Sequence, residues 1–276
     1  MKIKLVTDSS SNMYTLDGVD FSSAPLKIIA GAREYTDTET LDVPVMLKDL
    51  REYKGKSSTA CPGVGDWMEA FDGADMVLGV AITSNLSGCY NAASIAAEEY
   101  MAANPEAKVF ILDSLSTGPE MELILEKYRE LIQAGKNFED ICGEIKEYCK
   151  RTHLLFSLES LSNFAKNGRI NPAVAAAVGL LGIRVVGRAS DVGTLEPMHK
   201  CRGEKKALQQ LMASMKAAGY KGGKVRLSHS YNAEAADKFA AMIKEQYPDA
   251  DISIRYNRGL CCYYAEEGGL LVGFES

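Results

Sequence analysis

The residues of this 276-residue chain best suited to chemistry are hydroxyls, gathered in four clusters. Thr83, Ser84 and Ser87 lie in "TSNLSG", between an apolar run over 76–82 and an alanine-rich stretch. Ser57, Ser58 and Thr59 precede Pro62 in "KSSTACPGVGDW". Asp113, Ser114, Ser116 and Thr117 follow the run 109–112 in "LDSLSTGPE", and "TDSSS" closes the first apolar run. Where a strand hands over to a helix, the first turn offers unpaired N–H groups and the positive end of the helix dipole to an anion. Ser87 and Gly88 fall at such a start, so Ser87 either caps the helix or donates to a ligand. Any one cluster reads equally well as caps and turns, where Ser, Thr and Asp are favoured. Four clusters after four strands, all on one edge of one sheet, point instead to a shared anion site.

Rival chemistries meet obstacles in the same residues. "GKSS" at 55–58 ends like a phosphate loop, but Leu50 stands where that motif needs glycine. A nucleophile elbow on Ser87 needs glycine at 85 and 89, which are Asn85 and Cys89. Asp8 and Asp113 end successive strands as magnesium ligands do, yet aspartate is also a favoured turn residue. His229, between Ser228 and Ser230, reads as a partly buried structural histidine more readily than as a base. With three scattered histidines and seven cysteines that form no C-x-x-C pair, no metal site and no cofactor are expected.

Among the cations, Lys166, Arg169 and Arg184 stand out. "KNGRINP" puts Arg169 in a tight turn just before a small-residue helix expected over 172–181. A cation there would answer an anion held by hydroxyls, while the small residues leave space beside apolar side chains. A surface arginine beside a tightly packed helix fits the same pattern.

The elements that must position these groups follow from periodicity. Strands are expected at 3–7, 24–29, 76–82 and 109–112, and helices at 43–53, 63–72, 87–103, 119–134 and 138–150. Asp42 suits an N-cap and Pro44 a first helical turn. Such alternation implies a largely parallel sheet covered on both faces. After the strand "THLLFSL" the texture shifts to a helix, the Gly-Arg turn, the small-residue helix and strands near 183–188 and 194–199. Helix 204–218, strand 224–229, helix 233–246, strand 251–256 and two short apolar runs complete the chain. The expected fold is therefore α/β in two domains, 1–152 with a largely parallel sheet and 153–276 mixed α/β. A net charge of −6 disfavours nucleic acid as the main partner. The odd, unpatterned cysteines suggest a reducing compartment. "MKIKLVTDSS" enters a strand with no secretory segment, and the longest nearly apolar run, 173–183, is too short to span a bilayer. A cytoplasmic protein is expected.

Taken in order, "TDSSS", "KSSTACPGVGDW", "TSNLSGCYNAA", "DS" at 113–114, "LSNFAKNGRI", "KCRGEKKA" and "GGLLVGF" resemble the DegV family along nearly the whole chain. The resemblance implies a two-domain α/β fold that holds one long-chain fatty acid, its carboxylate near the domain junction. It also implies a carrier that presents the acid to a partner fatty acid kinase for phospholipid synthesis and is not itself the catalyst. On this chain the family's carboxylate ligands fall on Thr59 and Ser87, and the arginine linked to phosphotransfer on Arg169. Ser58, Thr83 and Ser84, in the same two clusters, complete the candidate ligand set. The chain departs from the family pattern at Leu260, where proline is expected, and at Ala265 or Glu266, where a histidine is expected. Ala60 and Cys61 replace a more usual polar pair. Two other classes stay open: a hydrolase or phosphoryl-transfer enzyme using the same hydroxyl pocket, and a binding module for another amphiphile.

Overall fold

A computed structural model describes residues 1–176 and 182–276. The chain opens with β1 (Ile3–Asp8), and Asp8 then caps a single 3-10 turn, Ser9–Ser11. There follow β2 (Asp20–Ala24), β3 (Lys27–Ala30), β4 (Arg33–Thr36), α1 (Val43–Glu52), β5 (Ser58–Ala60) and α2 (Val64–Phe71). Next come β6 (Met76–Ala81), α3 (Cys89–Ala103), β7 (Lys108–Asp113), α4 (Pro119–Gln133) and α5 (Phe138–Cys149). Four of these strands form a wholly parallel sheet in the order β2-β1-β6-β7. Every residue of β6 is buried, as expected of a central strand covered on both faces. Asp42 Oδ1 accepts the Val45 N–H at 3.0 Å and Pro44 sits in the first turn of α1, as the spacing predicts.

The strand expected over 24–29 is two strands. Pro25 has no N–H to give a ladder, and the Leu26 N–H donates to Ser9 Oγ instead. The chain therefore leaves the parallel sheet at Ala24, and β3 pairs with β4 and β5 in a separate antiparallel sheet. This also relocates one hydroxyl cluster: Ser58 and Thr59 lie on β5 of the small sheet, not at the edge of the parallel one. The other three clusters do follow β1, β6 and β7.

The second half comprises β8 (Thr152–Leu158), α6 (Ser162–Lys166), α7 (Pro172–Ala176), β9 (Ile183–Ala189), β10 (Leu195–Arg202) and α8 (Glu204–Ala217). It ends with β11 (Val225–His229), α9 (Ala233–Gln246), β12 (Ile252–Tyr256), α10 (Gly259–Ala265) and β13 (Leu270–Glu275). Its sheet runs β10-β9-β8-β13-β11-β12, antiparallel except for β11 with β12. Of the small-residue helix expected over 172–181, residues 177–181 lie outside the described residues.

Strand alternation explains why "THLLFSL" and "GGLLVGF" are apolar nearly throughout. Leu154, Phe156, Leu158 and Leu271 face one cluster together with Cys261 and Ala265 of α10, while Leu155, Leu270, Val272 and Phe274 face the core under α8 and α9. The first of the two apolar runs expected in the tail is this helix α10. Its start is held by the buried Asp37, whose carboxylate accepts the Gly259 and Leu260 N–H groups at 2.9 Å each. A Cβ on Gly259 would stand 2.6 Å from Asp37 Oδ1, so only glycine fits there.

Helix α4 joins the two halves. It is buried almost all round, between the parallel sheet and strands β8, β11 and β13. Its inward carboxylates meet cations of the second half: Arg226 grips Glu126 through Nε and Nη2 at 2.9 and 2.8 Å, and Arg255 reaches Glu122 at 2.7 Å. Among the described residues no helix is long and apolar enough to cross a membrane.

Candidate functional site

A cavity of about 300 Å³ lies where the small sheet, the start of α3, the inner face of β8 and β13, and α10 converge. Its walls are apolar, with Phe156, Leu158, Phe164, Leu260 and Leu271 prominent. Its polar end is formed by Thr59, Ser87 and Arg169, with Cys61 and Gly88 beside them.

Each polar group is placed by a different element. Thr59 sits mid-strand in β5, and its hydroxyl shares a 2.8 Å hydrogen bond with the Tyr264 hydroxyl of α10. Tyr264 packs on Phe164, with ring centres 4.7 Å apart, and burial raises its pKa while Thr59 and Arg169 act to lower it. Ser87 ends the turn that follows β6. The Leu86 and Ser87 N–H groups both close onto the Thr83 carbonyl at 3.2 Å, and Ser87 Oγ accepts the Cys89 N–H at the start of α3. The cavity thus reaches the N-terminus of a 15-residue helix.

Arg169 comes from the turn between α6 and α7. Its Nε donates to the Leu86 carbonyl at 3.1 Å, and its Nη1 to the Asn167 carbonyl. Among the described residues it has no carboxylate partner, although it is half-buried. A buried cation normally has a counter-charge. Here the space in front of it is the cavity.

Three of the six candidate ligands therefore share the cavity, and three do not. Ser58 is the neighbour of Thr59 on a strand, so it faces the other side. Thr83 is buried, but its hydroxyl donates to the Gly193 carbonyl at 2.8 Å. Ser84 is exposed, with its N–H on Asp113 Oδ1. These two shape the loop that presents Ser87. Tyr264, Thr117 and Cys61 line the cavity without having been singled out as ligands. Thr117 belongs to the third hydroxyl cluster, whereas nothing local in "CCYYA" signals that Tyr264 meets Thr59.

The remaining candidates are structural. Asp8 accepts the Ser10 and Ile82 N–H groups at 3.0 and 2.7 Å, tying the ends of β1 and β6 together, and burial raises its pKa to about 6. Asp113 accepts the Leu115 N–H as well as that of Ser84. Neither belongs to a group able to hold a metal ion among the described residues. His229 Nδ1 accepts the Asn232 N–H, and its ring packs on Tyr256. Lys166 is exposed, and Arg184 is paired with Glu159 and Glu204.

At the tail, Leu260 and Ala265 line the cavity wall. The Glu266 carboxylate turns away, accepting from Ser160 Oγ at 2.8 Å and the Asn163 N–H, and Glu267 pairs with Arg51 at the surface. Neither Glu266 nor Glu267 thus faces the Thr59–Ser87 end. A second groove, of about 990 Å³, carries mixed charges including Lys146, Arg188, Asp191 and Glu196. It is larger but lacks the enclosed apolar wall closed by convergent polar groups that marks small-molecule sites.

Comparison with known proteins places this geometry among relatives. The DegV family model, described as uncharacterised proteins, matches residues 2–275. A DegV domain-containing protein of Streptococcus gordonii is 39% identical over 279 residues, covering 100% of this chain and 99% of its own. A DegV family protein from Eubacterium eligens, solved loaded with heptadecanoic acid, superposes with a TM-score of 0.97 at 46% identity over 99% of both chains. The fatty acid kinase B3 protein of Streptococcus pneumoniae, solved loaded with linoleic acid, gives a TM-score of 0.98 at 38% identity, over 100% of this chain and 99% of that one.

Proposed function

The chain belongs to the DegV family, and from that premise we propose that it is a carrier of one long-chain fatty acid. The acyl chain occupies the apolar cavity, and the carboxylate lies against Thr59, Ser87 and Arg169. The observation that carries this reading is the half-buried Arg169, which has no carboxylate partner among the described residues and opens onto a greasy cavity beside two hydroxyls and a helix N-terminus. An amphiphilic anion satisfies all of these at once: the apolar wall takes the chain, and charge-assisted hydrogen bonds take the head. Relatives solved with heptadecanoic and linoleic acids support the ligand class.

In this reading the protein presents the carboxylate to a partner fatty acid kinase for phospholipid synthesis; a relative that carries the name of a fatty acid kinase protein supports the choice of partner. It works in the cytoplasm, needs no cofactor and leaves the chemistry to the kinase. The division into 1–152 and 153–276 belongs to the same reading: the first part supplies Thr59 and Ser87, the second Arg169 and most of the acyl wall.

Native mass spectrometry of protein purified from cells tests the proposal. A co-purifying fatty acid is the expected result. A bound nucleotide would favour the phosphoryl-transfer alternative, and a different lipid would favour a binding module for another amphiphile.

A further inference from the structure

Two thiols flank the polar end of the cavity, one lining it and one buried behind Ser87 and Gly88, and the carrier reading uses neither. Cys61 is exposed, in the loop between β5 and α2, and lines the cavity. Cys89 is buried as the first residue of α3. The Cys61 sulfur lies over Gly88, so close that a Cβ there would be 3.2 Å from it. Gly88 immediately precedes Cys89, whose sulfur accepts a hydrogen bond from Ser87 Oγ at 3.1 Å, so both sulfurs lie against the same turn at the start of α3. Arg169 and the first turn of α3 add positive potential at the same spot.

This environment separates the two sulfurs chemically. The neighbouring Cys89 thiol above all, with Arg169 assisting, lowers the Cys61 pKa, against burial and the charge of Asp8. Burial raises that of Cys89 and keeps it a thiol. An accessible, acidified thiol beside a buried, protonated one is the arrangement of an attacking and a resolving cysteine. Cys261 also lines the cavity, but its thiol is buried, donates to the Ser10 carbonyl at 3.2 Å and is shifted upward by burial.

We propose that Cys61 and Cys89 form a dithiol that hydroperoxides oxidise to a disulfide in the empty site, and that an acid bound at Thr59 and Ser87 suppresses the reaction. The second half rests on the carrier reading; the first does not. In the first step the Cys61 thiolate attacks the terminal oxygen of the hydroperoxide. An S–O bond forms, the O–O bond breaks, and the departing alkoxide or hydroxide takes up a proton. In the second step the Cys89 sulfur attacks the Cys61 sulfenic acid. An S–S bond forms, the S–O bond breaks, and the hydroxyl leaves with the Cys89 proton as water. The two thiols lose two electrons, which reduce the peroxide. A bound carboxylate opposes the first step because it occupies the positive field that favours the thiolate and repels it as a like charge.

The test compares the full reduced chain, stripped of lipid, with the same chain loaded with oleic acid. Each is exposed to hydrogen peroxide, its remaining thiols are alkylated, and its peptides are mapped by mass spectrometry. The expected product is a disulfide between the Cys61 and Cys89 peptides, formed about tenfold more slowly in the loaded protein when both are assayed at about pH 5, where one unit of pKa shift changes the thiolate fraction about tenfold. Cys89→Ala should stop at a Cys61 sulfenic acid that dimedone traps. Cys61 reacting no faster than Cys142 and Cys201, or bridging to a cysteine other than Cys89, overturns the dithiol. Equal rates with and without bound oleic acid overturn the suppression. Failure of oleic acid to bind removes the carrier reading and the suppression with it, while the disulfide in stripped protein is judged separately.

Discussion

Arg169 holds the carbonyl of Leu86, 83 residues away in sequence, through an Nε hydrogen bond of 3.1 Å. The contact fixes the residue immediately before Ser87, so the arginine that faces the head-group space also fastens the loop that brings the serine to it. Charge and hydroxyl are placed by one interaction.

Arg169→Ala should therefore weaken fatty-acid binding by about 1.5–3 kcal/mol, the range for a hydrogen bond to a charged group. Arg169→Lys keeps the charge but loses the planar fork, so its affinity should fall between those of the alanine variant and the parent. Titration with a fluorescent fatty acid reads both. Parent-like affinity in the two variants would take Arg169 out of the site.

Thr59→Ala and Ser87→Ala should each lower affinity by about 1.5–3 kcal/mol. Tyr264→Phe keeps the ring against Phe164 and removes only the partner of the Thr59 hydroxyl. Its expected loss is about 1 kcal/mol. Ser84→Ala, at an exposed side chain outside the cavity, should leave affinity within about 0.5 kcal/mol. Calorimetry on lipid-stripped protein measures all four. A Ser84→Ala effect as large as that of Ser87→Ala would mean that the wrong end of the loop has been assigned to the ligand.

Of the three cations marked in the second half, Arg169 lines the cavity, while Lys166 is exposed and Arg184 is paired elsewhere. The strand–helix alternation of the first half and the cap at Asp42 were legible because long periodic segments and caps carry local signals. The small sheet was not. Strands β4 and β5 are only four and three residues long, too brief for a period to register, and Pro25 divides what reads as a single apolar run. Helix α10 is apolar on all sides, so "GLCCYYA" shows no helical face. Ser58 and Thr59 share a cluster in the sequence but face opposite sides of β5, a separation that shows only once the segment is known to be a strand. The pairing of Thr59 with Tyr264 joins residues 205 apart and leaves no trace in either segment.

Asp37 should prove a strong point of stability through α10. Its carboxylate accepts the Tyr14 hydroxyl at 2.7 Å as well as the Gly259 and Leu260 N–H groups. Asp37→Ala strands these donors in a buried place, at a cost of about 3 kcal/mol. Because α10 supplies Leu260, Tyr264 and Ala265 to the cavity, retention of fatty acid should fall as well. Urea denaturation and lipid extraction measure the two effects, and a variant within about 0.5 kcal/mol of the parent would show that α10 does not depend on this cap.

Glu120 links stability to pH in a direction opposite to that of a salt-bridged carboxylate. It lies in the first turn of α4, buried, accepting from the Ser116 and Thr152 hydroxyls, and no cation offsets its charge among the described residues. Burial raises its pKa from 4.5 to about 7, and the two hydroxyls only partly oppose the rise. A carboxyl whose pKa is higher folded than unfolded holds its proton more tightly in the native state. Its contribution is complete below the unfolded value of 4.5 and is lost as pH rises through about 7. Asp8, raised to about 6, acts in the same sense. Glu120→Gln removes this ionisation, and the serine and threonine hydroxyls can rotate to meet the amide. The variant should be close to the parent at about pH 5 and more stable by on the order of 2 kcal/mol at about pH 8. The stability difference between the two proteins, measured by urea denaturation across this range, isolates Glu120 because the share of Asp8 cancels. Parallel profiles would show that Glu120 does not carry the linkage.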